Sequence, residues 1–362
     1  MRHKHATHFA RGPAAAATAL LTAIALGTGL ASAAQVPAAA TTTGHTTGAS
    51  LTDNGASALH ATAKCTKKAN GHLASCASPV KANLLPAGVR DKSTVTQLVK
   101  DPADMVDTRT WTSAGGNTFP GADVPFGMVQ WSPDTMPDRN AGGGYGYGDS
   151  ELTGYSLTHL SGPGCGAAGD VPILPMTGGL PSDPNSYVTS FTNSGEVAQA
   201  GYYSAESNLP ATITSQFAET PHSAMGRFTF PKTTKADFLI KLDDSQNGDI
   251  NETAKIVGND EVTGSVTSGD FCDETNNGGQ NQLYTVHFSI VFSQPFTKAQ
   301  VVTPTGSSSP DAAFVTFNTT SSRVVQAKVG ISYVSTKNAQ LNWQTENPGW
   351  NFDAVKGAAQ LS

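Results

Sequence analysis

Alternation of apolar and polar residues runs through much of the second half of the sequence. From Tyr284 to Phe292 nearly every second residue is apolar, and those between are mostly Thr, His or Ser. The same period of two recurs over residues 325–333 and 211–217. Because the side chains of a strand point alternately to opposite faces, this pattern predicts half-buried β-strands. Shorter candidate strands, separated by Gly, Pro, Asn and Asp, are Arg227–Phe230, Phe238–Leu242, Val262–Val266 and Phe314–Phe317.

Helical patterns are few. Residues 93–100 predict one short helix, and a second helical pattern begins at Trp350 with Asn351 as its candidate N-cap. The sequence shows no packing partner for this second helix, so we interpret residues 350–362 as the start of a linker helix to a further, absent domain. Many short strands with so little helix predict an all-β fold, an antiparallel β-sandwich over residues 93–349.

The N-terminus has the pattern of a secretory signal peptide. Arg2, Lys4 and Arg11 precede an apolar run, and Ala31-Ser32-Ala33 forms a small-residue cleavage site. We therefore predict that residues 1–33 are removed near Ala33 and that the protein is secreted. Residues 34–92 are rich in Ala, Thr and Ser, a composition that predicts a flexible segment.

Charge and cysteine content narrow the possible partners. The formal net charge is -6 and no run of Lys and Arg is long enough to follow a phosphate backbone, which argues against nucleic acid. No later stretch is apolar enough to span a membrane, and a neutral glycan fits this composition better. In an exported chain the four cysteines favour disulfides: Cys65 and Cys76 are predicted to pair, whereas Cys165 and Cys272 either pair or remain buried thiols.

The most informative region is rich in Gly and Pro and lies between residues 115 and 170. Its blocks are Gly116-Asn117-Thr118-Phe119-Pro120-Gly121, Val124-Pro125-Phe126-Gly127-Met128-Val129-Gln130 and His159-Leu160-Ser161-Gly162-Pro163-Gly164-Cys165, followed by Gly169-Asp170. Further blocks are Gly201-Tyr202-Tyr203, Asp260–Ser265 and Pro348–Asp353. In content and order these blocks resemble the N-terminal domain of glycoside hydrolase family 92. One departure is Asp107–Thr112, where the family has a segment like Asn-Pro-Phe-Ile-Gly-Thr.

The resemblance implies a supersandwich-like β-domain packed on an (α/α) barrel, with the active site at their junction. It also implies an exo-acting, inverting, calcium-dependent α-mannosidase, with α-1,2-mannosides as the first expected substrates. In the family the catalytic carboxylates and the main calcium ligands belong to the barrel, so we expect a chain truncated before its catalytic domain, without turnover of its own. The alternatives are a stand-alone secreted carbohydrate-binding sandwich and a structural or adhesive domain without ligand.

Candidate site residues follow from the same loops. We expect His159, Ser161, Cys165, Trp111, Tyr145 and Asp170 to contact the sugar, with Trp131 and Tyr147 as further rings that either stack on sugars or pack. His159 fits a donor to sugar hydroxyls and a structural histidine equally well. The acidic residues Asp134, Asp138, Asp149, Glu151 and Asp170 are interpreted as turn caps, so none is assigned a catalytic role. The turn Asp243–Gly248 resembles a calcium loop, but Ala254 stands where the bidentate Glu belongs, so no metal ligand is assigned.

Overall fold

The computed structural model describes residues 102–113, 115–208, 210–269, 271 and 282–362. The predicted signal peptide, the predicted flexible segment, the helix over residues 93–100, the Cys65–Cys76 pairing and Cys272 lie outside the described residues. Among the described helices none is long and apolar enough to cross a membrane.

The described residues form two antiparallel sheets, which confirms the predicted β-sandwich. The strands are β1 Ser132–Met136, β2 Glu151–Ser156, β3 Ile173–Thr177, β4 Thr189–Ser190, β5 Val197–Gln199, β6 Tyr202–Ser207, β7 Ile213–Glu219, β8 Ser223–Thr229, β9 Ala236–Lys241, β10 Ile250–Val257, β11 Glu261–Ser268, β12 Tyr284–Phe292, β13 Lys298–Val302, β14 Ala312–Phe317 and β15 Val324–Ser332. A 3-10 turn, Pro102–Met105, precedes them, and the helices α1 Thr336–Glu346 and α2 Phe352–Leu361 follow. All strands predicted from the alternating pattern are present.

Each sheet joins strands that are distant in the chain. The first sheet has the order β1-β2-β3-β9-β14-β13, with β4 paired to β2, and the second has the order β10-β11-β12-β15-β8-β7-β6-β5. The register sets Phe288 of β12 opposite Ile331 of β15, so large apolar side chains neighbour one another on the inner face.

Aromatic side chains fill the space between the sheets. Phe238 of the first sheet packs 4.8 Å from Phe228 and 5.1 Å from Phe292 of the second sheet, measured between ring centroids. Trp131 lies 4.6 Å from Phe217 and is fully buried, so its role is core packing and not sugar stacking. Burying each such ring contributes about 1.5–3 kcal/mol relative to leaving it exposed, so this column is a main source of stability.

Helix α1 was not predicted from the sequence. Its residues are mostly polar, and Ala339 is its one buried residue within the described range. It is capped by Ser335, whose hydroxyl accepts from Asn338 N at 3.2 Å. Gly330 of β15 allows the helix to approach, because a Cβ there would lie 2.1 Å from Ala339 O. A backbone contact of this kind leaves no apolar stripe in the sequence.

Helix α2 confirms the predicted cap but not the predicted lack of a packing partner. Asn351 Oδ1 accepts from Ala354 N at 3.1 Å. Phe352 is buried against Tyr202, and Gly201, with φ of 70°, lets the helix backbone approach, since a Cβ there would lie 2.7 Å from Ala359. The expectation that this helix starts without a packing partner was therefore wrong, because the second sheet supplies one.

Candidate functional site

Three of the segments singled out from the sequence meet at one open pocket. The pocket encloses about 370 Å³. Residues 106–123 form one wall, Ser161 a second, and the turn at Ala200 and Gly201 a third. Its lining includes Thr118, Phe119 and Asp123, so it offers hydroxyl and carboxyl groups beside an aromatic ring. Such a mixture suits a polar ligand with an apolar face.

Hydrogen bonds within and between the segments hold the pocket walls. Thr108 Oγ1 donates to Pro120 O at 2.7 Å, and Thr118 Oγ1 donates to Thr110 O at 2.8 Å. The backbone N–H of Gly162 donates to Asn117 O at 2.8 Å and so joins the loop 159–165 to the wall formed by residues 106–123. The Gly- and Pro-rich sequence therefore encodes shaped loops on a rigid sheet, as expected.

Besides Asp107, which lines the pocket and pairs with Arg109, the sequence analysis did not select two further acidic residues at or behind this pocket. Asp123 lines it, accepts from Val124 N at 2.8 Å, and has its pKa raised by burial to about 6. Behind it Glu219 is 1% exposed and accepts from Trp131 N at 2.5 Å. Burial and the charge of Asp123 hold the pKa of Glu219 well above its usual range. Asp123 immediately precedes the block that begins with Val124-Pro125, so its position in the sequence could have marked it as a pocket residue. Glu219 ends an ordinary strand, and no sequence feature distinguishes it.

His159 lies behind the pocket wall. Its side chain has no exposed surface; Nδ1 is 2.8 Å from Gln130 O, and the ring centroid is 5.4 Å from that of Phe119. Nε2 is 3.4 Å from Asp134 Oδ1. This is the geometry of the structural alternative, in which the imidazole bonds to a backbone carbonyl. Leu160 and Ser161, which follow, are exposed, so the loop turns outward just after His159.

A buried charge network supports the same loop. Asp134 is fully buried; burial raises its pKa, but Arg139 and His159 outweigh this effect, so the pKa of Asp134 lies below its ordinary value. Arg139 also donates to Asp244 Oδ1 at 2.8 Å, and Lys241 Nζ donates to Asp244 Oδ2 at 2.9 Å. Paired in this way, the charges fix the segment after β1 to the turn after β9, because breaking one buried pair would leave a charge uncompensated.

The remaining predicted site residues are not brought together at the pocket. Trp111 is 69% exposed, as sugar stacking requires. Tyr145 is fully buried; it donates to Glu196 Oε2 at 3.0 Å, so its ring face is not open in this chain. Asp170 is also fully buried, and burial raises its pKa. Cys165 is disulfide-bonded, so it is no free thiol, and its partner lies outside the described residues.

The calcium implied by the family resemblance has no obvious cluster of strong ligands here. Within the part of the chain that the structure describes, no group of three or more His, Cys, Asp or Glu side chains is arranged to hold a metal ion. No step of a reaction is therefore assigned to a metal bound by these residues.

Comparison with known proteins gives a consistent result. Residues 105–332 match the glycosyl hydrolase family 92 N-terminal domain. A family GH92 α-mannosidase from Bacteroides thetaiotaomicron has a TM-score of 0.61 and 26% identity, over 73% of this chain and 37% of that one. A GH92 inverting mannosidase from the same species has a TM-score of 0.56 at 24% identity, over 69% and 34%, and shows the fold alone. An uncharacterized secreted glycosidase of Arthroderma benhamiae is 25% identical over 311 residues, covering 77% of this chain and 39% of that protein.

The fold and these matches place the chain among the N-terminal sandwich domains of glycosidases. It belongs to glycoside hydrolase family 92, which confirms the resemblance drawn from the Gly-rich blocks. The chain spans less than half the length of the relatives that it matches.

Proposed function

We propose that this chain forms the substrate-pocket side of a secreted, inverting, calcium-dependent exo-α-mannosidase, with α-1,2-mannosides as its expected substrates. The observation that carries the proposal is the pocket itself, which three family segments build together. Secretion is supported by the N-terminal sequence pattern and by the name of the fungal relative. An (α/α) barrel domain would supply the catalytic acid, the base and the calcium ligands.

The proposed roles follow the placement of each side chain. Ser161 and Asp123 offer hydrogen-bonding groups to sugar hydroxyls. Trp111 is outside the lining but follows the lining residue Thr110 in the chain, and we propose that its exposed ring offers a stacking face at the rim of the pocket. His159 and Tyr145 support the loops from the buried side, and the disulfide at Cys165 fixes the far end of the loop 159–165. These residues position the sugar, and none of them is a catalytic residue.

The chain is not expected to complete the reaction by itself. Inversion needs an acid and a base roughly 6.5–9.5 Å apart, with room between them for the sugar and a water molecule. Two carboxyls line the pocket, those of Asp107 and Asp123, and Asp107 is engaged in an ion pair with Arg109 at 2.7 Å. Glu219 is buried behind the wall. A carboxyl buried behind the wall cannot reach a water molecule in the pocket, so in this proposal a second domain provides the missing group.

The test uses the full chain and α-1,2-mannobiose. Amide NMR shifts should change around residues 106–123, Ser161 and Gly201, with weak, millimolar affinity because in the proposed enzyme the barrel domain supplies the opposite side of the pocket. Ser161→Ala and Trp111→Ala should each weaken binding, while Ser308→Ala, an exposed serine between β13 and β14, should leave it unchanged. Free mannose, assayed in parallel with calcium and with chelator, should not appear.

Three results would contradict this proposal in different ways. Mannose release that persists through purification and disappears in Asp123→Asn would show that the chain is itself the enzyme. Micromolar binding without release would favour the stand-alone carbohydrate-binding sandwich. Binding that is indifferent to Ser161 and Trp111 would mean that the pocket is placed wrongly.

A further inference from the structure

Two buried carboxyl groups near the end of β11 each have an oxygen without a partner. Asp170 Oδ2 accepts from Thr158 Oγ1 at 2.6 Å and from Tyr284 OH at 3.0 Å, but its Oδ1 accepts no hydrogen bond from any described residue. Asp249 Oδ2 accepts from Ser245 N at 3.0 Å, and its Oδ1 likewise has no partner in the described part of the chain. Asp170 is 0% and Asp249 9% exposed, so bulk water does not solvate these oxygens.

Two serine hydroxyls lie between the carboxyls. Ser245 Oγ is 3.1 Å from Ser268 Oγ, and both donate to Gly248 O, at 2.8 and 3.3 Å. Burial raises the pKa of Asp170, and a hydrogen-bonding contact with the Ser268 hydroxyl opposes that shift. A hydroxyl oxygen has two acceptor lone pairs besides its one donor proton, so each serine oxygen can also serve as a ligand.

Among the described residues no cation compensates Asp249, although for Asp170 the neighbouring His159 opposes the larger effect of burial, which raises the pKa of that carboxyl. The charges that act on Asp249 come from Asp170 and Asp243, which are both acidic. Lys241 and Arg139, the basic residues of the adjoining network, are already paired with Asp244. A buried carboxylate oxygen that no protein donor satisfies indicates an ion or a water molecule at that position.

We propose that Asp170, Asp249, Ser245 and Ser268 form a site for a hard divalent cation, with calcium preferred. An all-oxygen ligand set on an irregular, Gly-containing turn suits calcium, whereas magnesium requires stricter octahedral geometry and keeps more of its water. The sequence turn that resembles a calcium loop lacks its Glu at Ala254, and Asp170 supplies the second carboxylate from a distant segment instead. This site is separate from any calcium held by a barrel domain.

The role expected of such an ion is structural. It would connect the segment that ends in Asp170, the turn between β9 and β10, and the end of β11 at Ser268. These elements belong to different sheets, and Asp170 immediately follows the loop that contributes Ser161 to the pocket. The ion would therefore fix the sandwich beneath one pocket wall.

The test uses the full chain after removal of metal ions. Terbium should bind with tyrosine-sensitised emission, because Tyr284 is hydrogen-bonded to the proposed ligand Asp170. Calcium should displace the terbium, and at a hundredfold excess over its Kd it should raise the unfolding midpoint by roughly 5 °C or more. Asp249→Asn should weaken the affinity for terbium and for calcium by roughly tenfold or more. The midpoint shift caused by calcium should become smaller accordingly. Asp243→Asn removes the same charge from an exposed position in the same turn and should retain both effects.

The rival explanation is a buried proton, since burial and the charge of Asp170 raise the pKa of Asp249 to about 8. Under that explanation terbium gives no sensitised emission, calcium leaves the midpoint unchanged, and Asp249→Asn is as stable as the parent or more so even in saturating calcium. Any of these results would overturn the proposal, as would terbium emission that persists in Asp249→Asn. If Asp249→Asn does not fold, Ser268→Ala serves as the ligand variant, with the same expected loss of calcium response.

Discussion

Replacing His159 with alanine tests whether this residue supports the loop or contacts a ligand directly. The imidazole has no exposed surface and lies between Gln130, Asp134 and Phe119. Alanine removes Nδ1, which lies 2.8 Å from Gln130 O, and Nε2, which lies 3.4 Å from Asp134 Oδ1. It also leaves a cavity beside Phe119. A ligand-contacting histidine would have little effect on stability, whereas this geometry predicts a large one.

The expected loss is about 3–5 kcal/mol. A buried carbonyl left without its partner costs about 1–3 kcal/mol, and the cavity with the weaker compensation of Asp134 costs a further ~2 kcal/mol. Since a domain of this kind is stable by about 5–15 kcal/mol in total, the variant should fold but unfold at a clearly lower urea concentration.

Urea unfolding followed by tryptophan fluorescence measures this loss, because buried Trp131 becomes exposed on unfolding. His159→Asn should recover part of the stability, since its amide can donate to Gln130 O. His287→Ala, at a half-buried position of β12, is the matched control and should cost less than about 1 kcal/mol. A loss below about 1 kcal/mol for His159→Ala would refute the structural assignment and return His159 to the candidate ligand contacts.

Three further outcomes are expected. The raised pKa of Asp123, about 6, means that the folded state holds this proton more tightly than the unfolded chain, so its contribution is present at low pH and is lost as the pH rises through 6. The stability of Asp123→Asn relative to the parent should therefore increase between about pH 4 and pH 7, by at most ~3 kcal/mol, and a flat difference in urea unfolding would contradict the assigned burial. Phe238→Ala should lower the free energy of unfolding by about 3–5 kcal/mol in the same assay, because four other aromatic rings have centroids within 6 Å of its own. A loss below ~2 kcal/mol would show that the core collapses around the gap. Phe126 and Trp111 are exposed by 102% and 69%, so the chain should bind a hydrophobic dye, and the double change to serine should lower that binding; unchanged dye fluorescence would locate the apolar surface elsewhere.

Part of the fold was accessible from sequence because the relevant signals are local. Alternation in residues 284–292 and 325–333 reports a strand with one buried face, and both strands formed as predicted. Helix α1 escaped prediction because it is held by backbone contact at Gly330 and not by an apolar stripe. Strand β10 escaped it because, at the edge of its sheet, most of its side chains are exposed or half-buried and carry no alternating pattern.

The candidate site was likewise predicted only in part from the sequence. The Gly- and Pro-rich blocks identified which loops build a pocket and which family they belong to, since backbone shape in these loops requires particular residues. They did not distinguish a residue facing the pocket from one lying behind it. Ser161 and His159 are two positions apart in one loop, yet one is exposed and the other has no exposed side-chain surface.

The sequence by itself determined the β architecture, the family and the positions of seven strands, β7, β8, β9, β11, β12, β14 and β15, because periodicity and turn chemistry are properties of short segments. Only the tertiary structure decided that Asp123 lines the pocket in front of Glu219, and that Asp170 shares a buried cluster with Asp249. These pairs come from strands and turns far apart in the chain. Their electrostatic character arises from burial and mutual charge, which no short segment records.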